Sequence, residues 1–172
     1  MAALPTETFY GLAADPTSAA GVERVRALKG RDGSKPLLVL FASRAQLAPL
    51  GVSAGADALD RYFAIWPAPL TVVLPIARPI PASLGALSLG VRMPAHAGLR
   101  AILARTGPVT GTSWNRSGDP PVTDPDSEGA PAEIDLLVDG GKTRGGAPST
   151  LLDATVSPPR MLREGAFRWP PA

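Results

Sequence analysis

Residues 19–41 read Ala19-Ala20-Gly21-Val22-Glu23-Arg24-Val25-Arg26-Ala27-Leu28-Lys29-Gly30-Arg31-Asp32-Gly33-Ser34-Lys35-Pro36-Leu37-Leu38-Val39-Leu40-Phe41, and three patterns succeed one another within them. Val22, Val25 and Leu28 recur at helical spacing, so residues 19–28 are expected to form an amphipathic helix, with Asp15-Pro16-Thr17-Ser18 offering capping residues ahead of it. Lys29 to Pro36 is a glycine-interrupted cationic loop. Residues 37–41 are a short apolar run, the pattern of a buried strand. A helix passing through a loop into a buried strand points to an α/β fold. Three positive side chains on such a loop suit a phosphate as well as they suit a solvated turn.

Upstream lies Pro5-Thr6-Glu7-Thr8-Phe9-Tyr10-Gly11-Leu12. Pro5 fixes its own φ and biases Leu4 toward an extended conformation. If the chain stays extended, alternation puts the hydroxyls of Thr6, Thr8 and Tyr10 on one face, and Gly11 ends the run with a bend or a close backbone approach. The same residues also read as an ordinary edge strand and turn, because threonine and tyrosine are good strand formers.

Downstream, Ser43 and Ser53 stand as caps for two short helices at 44–50 and 54–63. Trp66-Pro67-Ala68-Pro69 is a stiff turn into a strand at 71–74, and residues 87–93 form another strand with Arg92 at its end, just before Pro94. His96 opens a helix at 97–105 and reads as a cap. A strand at 108–112 leads into Gly111-Thr112-Ser113-Trp114-Asn115-Arg116-Ser117-Gly118, dense in donors and turn formers and a second candidate site. Further strands are expected at 134–138, from Ser149 to Asp153 and at 161–163. Some links are too short for crossover helices, so the sheet is expected to be mixed. Gly141-Lys142-Thr143 imitates the end of a phosphate-binding P-loop, but the first glycine of that motif falls on Leu136 and no helix can follow through Gly145-Gly146-Ala147-Pro148.

The chain of 172 residues, 45% hydrophobic, is long enough for a real core and is expected to be a single domain spanning 1–172. Its prolines cluster in short runs between apolar segments, which marks loops rather than disorder. No run of about 18 apolar residues is present and Met1 to Leu4 cannot act as a signal peptide, so no membrane association and a cytoplasmic location are expected. Cysteine is absent and His96 is the one histidine, which excludes disulfides, thiolate nucleophiles and Cys/His zinc clusters. A formal charge of +2 is too mild for a dedicated nucleic-acid binder. Any anion site is therefore local.

Pro5-Thr6-Glu7-Thr8 with Tyr10-Gly11-Leu12, Lys29-Gly30-Arg31 with Lys35-Pro36-Leu37, Trp66-Pro67 with Pro69-Leu70-Thr71, Val91-Arg92-Met93-Pro94, Ser113 to Gly118, and Pro148-Ser149-Thr150 follow one another in the chain. Together they resemble the YrdC-like threonylcarbamoyl-AMP synthase family. The resemblance implies an α/β fold, a twisted mixed sheet with flanking helices around a concave basic cavity. It implies a reaction in which L-threonine, bicarbonate and ATP, with Mg²⁺, give threonylcarbamoyl-AMP and pyrophosphate for the tRNA threonylcarbamoyl transferase machinery. Thr8, Arg92, the Gly111 backbone and Ser149 then look like threonine contacts, and Arg31, Lys35, Ser88, Ser113, Asn115 and Arg163 like ATP contacts. Lys29 and Arg31 would stabilise charge, with no nucleophile and no metal ligand from the protein.

Three positions depart from the family's pattern: Leu40 stands where many relatives have a histidine, Trp114 where they have a small residue, and Pro121 where they have a serine. Relatives also carry a helix and a strand ahead of the proline-threonine motif, so the fold is expected to be N-terminally short. Two other readings stay open, a non-catalytic module binding tRNA or double-stranded RNA, and a paralogue with another carbamoyl acceptor. Hydroxyls at Thr8, Ser113 and Ser149 favour a small ligand over RNA, which would draw on exposed aromatics and a larger basic excess. Arg31→Ala should remove charge-assisted bonds worth about 1.5–3 kcal/mol each, so calorimetry should find ATP binding weakened about tenfold or more. Unchanged binding would assign the loop to solvent.

Overall fold

The computed structural model describes residues 1–30, 35–127 and 130–169, and Arg31 therefore lies outside the described residues. Strand β1 (Ala2–Pro5) turns back as β2 (Tyr10–Ala13), and helix α1 (Ala19–Lys29) follows. Ser18 caps α1 by accepting the Gly21 N–H, and Gly30, at φ 58°, ends it in the left-handed conformation that glycine adopts without steric cost. Val22, Val25 and Leu28 are buried, as their spacing predicts.

Next come β3 (Val39–Leu40), α2 (Ala56–Phe63), β4 (Leu70–Pro75) and β5 (Ser88–Arg92). They are followed by α3 (Ala97–Thr106), β6 (Val109–Thr110), β7 (Thr112–Ser113), β8 (Leu136–Leu137), β9 (Thr150–Asp153) and β10 (Arg160–Arg163). His96 caps α3, its Nδ1 accepting the Leu99 N–H at 3.0 Å. The two capping serines are corrected. Residues 44–50 shrink to a single 3₁₀ turn, Arg44–Gln46, without a side-chain bond from Ser43, because Pro49 has no N–H to continue a helix. The second helix starts at Ala56 behind Gly55 with no side-chain cap, and Ser53, held beside β4 by its N–H bond to Pro75 O at 2.9 Å, stands too far ahead of the first turn to cap it.

The strands divide into two mixed sheets, one in the order β7-β2-β1-β8 and the other β10-β9-β4-β5-β3-β6. Leu70, Val72, Leu74, Leu89, Val91, Val39 and Leu152 of the larger sheet share one apolar cluster with Val22, Val25 and Leu28 of α1 and with Ala3, Tyr10 and Leu12 of the smaller. A second cluster joins Leu40 to Leu99 and Leu103 of α3 and to Leu4 and Ala13.

The chain changes sheets at Gly111. Thr110 pairs with Val39 in the larger sheet, while Thr112 and Ser113 pair with Leu12 and Gly11 in the smaller. Buried Thr110 stitches the crossing: its N–H bonds Ala14 O at 2.8 Å, and its Oγ1 takes the Ala14 N–H at 3.0 Å and donates to Leu12 O at 3.2 Å. Gly111 gives its N–H to Leu38 O at 2.8 Å, and a Cβ there would sit 2.5 Å from Leu40 Cγ. Gly111→Ala should therefore lower stability by about 1–3 kcal/mol, the usual range for overpacking. Urea unfolding measures it, and an unchanged midpoint would show that Leu40 yields freely.

Candidate functional site

Strand alternation turns one face of β4, β5 and β9 into the core and presents the other. Thr71 on β4 and Ser88, Gly90 and Arg92 on β5 share the second face, and a Cβ on Gly90 would touch Thr71 Cγ2 at 3.5 Å. Ser149, one residue before β9, joins them, its Oγ 2.8 Å from Thr71 Oγ1. Arg163, opposite Leu151 on β10, donates from Nη2 and Nε to Ser149 O at 2.8 and 3.2 Å. The structure thus brings together Ser88, Arg92, Ser149 and Arg163 on one face. Thr71 belongs with them and sequence reasoning missed it; the signal was a hydroxyl on an otherwise apolar strand.

Glu7 is the other residue missed. It sits in the turn between β1 and β2 with Oε1 2.6 Å from Arg92 Nη2 and accepting the Ala95 N–H at 3.0 Å. Burial would push its carboxyl up, but the Arg92 guanidinium and the Ala95 N–H outweigh that and hold it below the ordinary carboxylate range. Glu7 Oε2 and Arg92 Nε and Nη2 are buried with no hydrogen-bond partner. Burial first, and then the positive charge of Arg92, depress the Arg163 guanidinium. Two guanidiniums thus lie in each other's field beside one carboxylate.

The run of hydroxyls before Gly11 is not an extended face. Thr6 Oγ1 donates to Phe9 O at 2.7 Å and accepts the N–H groups of Thr8 and Phe9 at 3.1 and 3.2 Å, closing a turn. Thr8 remains near Glu7 in that turn, its Oγ1 3.1 Å from that of Thr6. Tyr10 instead points into the core against Trp114, where its hydroxyl donates to Gly141 O at 2.8 Å and accepts the Gly140 N–H at 3.0 Å. Gly11 lies within β2 rather than ending the segment.

Lys29 is corrected as well. It is the last residue of α1, only 1% exposed, not an open loop cation. A helix C-terminus favours positive charge. Its Nζ donates to Ser113 O at 2.8 Å and Asn115 Oδ1 at 2.7 Å, with Ser113 Oγ at 3.4 Å. Asn115 gives both amide protons to Arg116 O and Asp119 O, which fixes its oxygen toward the ammonium. Ser113 Oγ bonds that same oxygen at 2.6 Å. Lys29, Ser113 and Asn115 are thus one unit, whereas Lys35 is exposed.

The Gly111 N–H is committed to Leu38, so only its carbonyl is offered among the backbone contacts first expected of it. Leu40 sits beside Arg92 in the β3–β5 register, and Trp114 is buried with its Nε1 donating to Pro131 O at 3.0 Å. Two hollows of about 320 Å³ lie elsewhere, one beside Arg24, Leu28 and Arg116, the other between β1, β8 and α3. None of the described candidate residues lines either hollow, and the polar groups that converge are those on the sheet face. Among the described residues no helix is long and apolar enough to cross a membrane.

Two mixed sheets, a hydroxyl-bearing sheet face carrying two arginines, and a buried lysine unit at a helix end define an α/β domain. Residues 1–165 match the family model named for Sua5, YciO and YrdC and described as telomere recombination. The chain belongs to this Sua5/YciO/YrdC family. It is 38% identical over 174 residues to the threonylcarbamoyl-AMP synthase of Pyrococcus abyssi, covering 97% of this chain and 51% of that protein. To the threonylcarbamoyl-AMP synthase of Bacillus subtilis it is 33% identical over 171 residues, covering 96% and 49%. The crystal structure of Pyrococcus abyssi Sua5 complexed with L-threonine superposes with a TM-score of 0.83 at 36% identity, covering 95% of this chain and 50% of that one. The chain thus spans about half the length of these curated relatives.

The depressed carboxyl of Glu7 has a pH signature. A carboxylate whose folded pKa lies below its unfolded value of about 4.3 contributes stability that is present above that value and lost as pH falls through the folded one. Glu7→Gln should therefore be less stable than the parent at pH 7, with the gap narrower at about pH 3, below the unfolded carboxyl's pKa. Urea titrations at the two pH values measure this, and a gap independent of pH would mean that the ion pair contributes nothing.

Proposed function

We propose that this chain is a single-domain threonylcarbamoyl-AMP synthase unit, making threonylcarbamoyl-AMP and pyrophosphate from L-threonine, bicarbonate and ATP. The observation that carries this reading is the convergence of Arg92, Arg163, Thr71 and Ser149 on one face of the larger sheet. Such a face recognises a small hydroxylated acid. Arg92 takes the threonine carboxylate through parallel N–H bonds, while Thr8, Ser149 and the Gly111 carbonyl line the rest of the amino acid. The triphosphate falls to Arg31, Lys35, Ser88 and Arg163, and to Ser113 and Asn115, which Lys29 holds in place.

The threonine amine forms a carbamate with bicarbonate, with loss of water. A carbamate oxygen then attacks the α-phosphorus of ATP, the new O–P bond forming as the bond to pyrophosphate breaks. The chain contributes positioning and charge neutralisation, so the absence of cysteine is no obstacle. Among the described residues no three His, Cys, Asp or Glu side chains converge where a metal could be held. Mg²⁺ is taken to enter as part of the ATP substrate, on its phosphates and water. The product passes to the transferase machinery that modifies tRNA, in the cytoplasm.

The direct test is pyrophosphate release from ATP in bicarbonate buffer, expected only when L-threonine is present. Arg92→Lys keeps the charge but loses the parallel bonds. Breaking a desolvated charged contact costs about 2–5 kcal/mol, so the threonine requirement should rise at least about tenfold while ATP binding without threonine stays unchanged. Weakened ATP with normal threonine dependence would move Arg92 to the phosphate site.

A further inference from the structure

The ion pair between Glu7 and Arg92 is incomplete in a particular way. Two donors of the guanidinium, Nε and Nη2, and one acceptor of the carboxylate, Oε2, are all buried without a hydrogen-bond partner. The Arg92 side chain is 5% exposed and that of Glu7 17%, so water does little to satisfy them. Leaving buried charged donors and acceptors unmet is costly, and such groups in a folded protein point to a ligand. What they lack is complementary: the arginine edge wants an anion, the carboxylate oxygen wants a donor.

An α-amino acid supplies both from one carbon, its carboxylate and its ammonium lying ~3 Å apart by covalent geometry. The Glu7 and Arg92 groups are 2.6 Å apart at Oε1 and Nη2, within reach of one such backbone. Oε1 is pinned by the Ala95 N–H, which leaves Oε2 as the oxygen to offer. We propose that Glu7 Oε2 binds the α-ammonium group of the amino-acid substrate while Arg92 binds its carboxylate, so that the pair reads the zwitterion. Glu7 is thus a specificity residue. It sets amino acids apart from plain carboxylates, which Arg92 and Arg163 alone would attract and which the negative charge of Glu7 repels. The proposal deepens the synthase reading and rests on its assignment of Arg92.

Calorimetry with two probes tests it: L-threonine, and 2,3-dihydroxybutanoate, in which a hydroxyl replaces the amine. The parent protein should prefer threonine by about tenfold or more, as one lost charge-assisted bond requires. In Glu7→Gln that preference should collapse, threonine weakening by about the same factor while the dihydroxy acid binds as well or better. A residue that merely holds the fold, or merely orients Arg92, would weaken both probes together, and that result overturns the proposal. Equal binding of the two probes by the parent protein overturns it without any variant, so a poorly folded Glu7→Gln does not protect the idea. Glu7-dependent threonine binding without pyrophosphate release would keep this site and sink the synthase reading. Pyrophosphate release with threonine binding unaltered in Glu7→Gln would do the reverse.

Discussion

The fold depends on one contact between a backbone and a side chain, that of Gly111 with Leu40. A strand that leaves one sheet and enters another within a single residue must pass close to whatever packs between them. Here it passes so close that no Cβ fits. The two polar groupings take their positions from this crossing. On one side β6 continues through β3 to β5, which carries Arg92; on the other, β7 delivers Ser113 to Lys29. Moving the crossing by one residue would exchange inward and outward side chains on the strand that moved.

The two groupings solve the problem of buried charge differently. Lys29 is satisfied within the chain by a carbonyl, an amide oxygen and the end of a helix, so its charge is used to order Ser113 and Asn115. Arg92 and Glu7 neutralise one another without saturating their hydrogen bonds, and Arg163 adds a second positive charge to the same field. The first arrangement suits a fixed scaffold. The second leaves Glu7 Oε2 and Arg92 Nε unsaturated, which is what the proposed binding of a small charged molecule would use.

Much of the architecture was legible, since helical spacing at Val22, Val25 and Leu28 and the apolar runs of β4 and β5 are strong local patterns. The misread places divide between local and distant causes. Ser53 reads as a cap, yet the helix begins three residues later behind Gly55. Thr6, Thr8 and Tyr10 alternate in sequence, yet the Thr6 hydroxyl bonds its neighbours' backbone and folds the run into a turn. Lys29 looks like the start of a loop because the glycine after it is the helix stop. Glu7 passed for one polar residue among several because its meaning comes from Arg92, 85 positions away, and no local pattern encodes that pairing. A distant partner decides Glu7, whereas a local side-chain bond decides the Thr6 to Tyr10 run and an adjacent glycine stop decides Lys29.

Tyr10 fastens the stretch between β7 and β9 near its far end. Its phenol clasps Gly140 and Gly141 from inside the core, and Thr123 and Thr143 are joined by a backbone bond, so the base of this long excursion is fastened independently of its tip. The turn at Asp124 to Ser127 is closed by its own local bonds and carries no strand of either sheet. Evolution or an engineer can lengthen the chain there, adding a recognition arm or a reporter, without asking the strands below to shift.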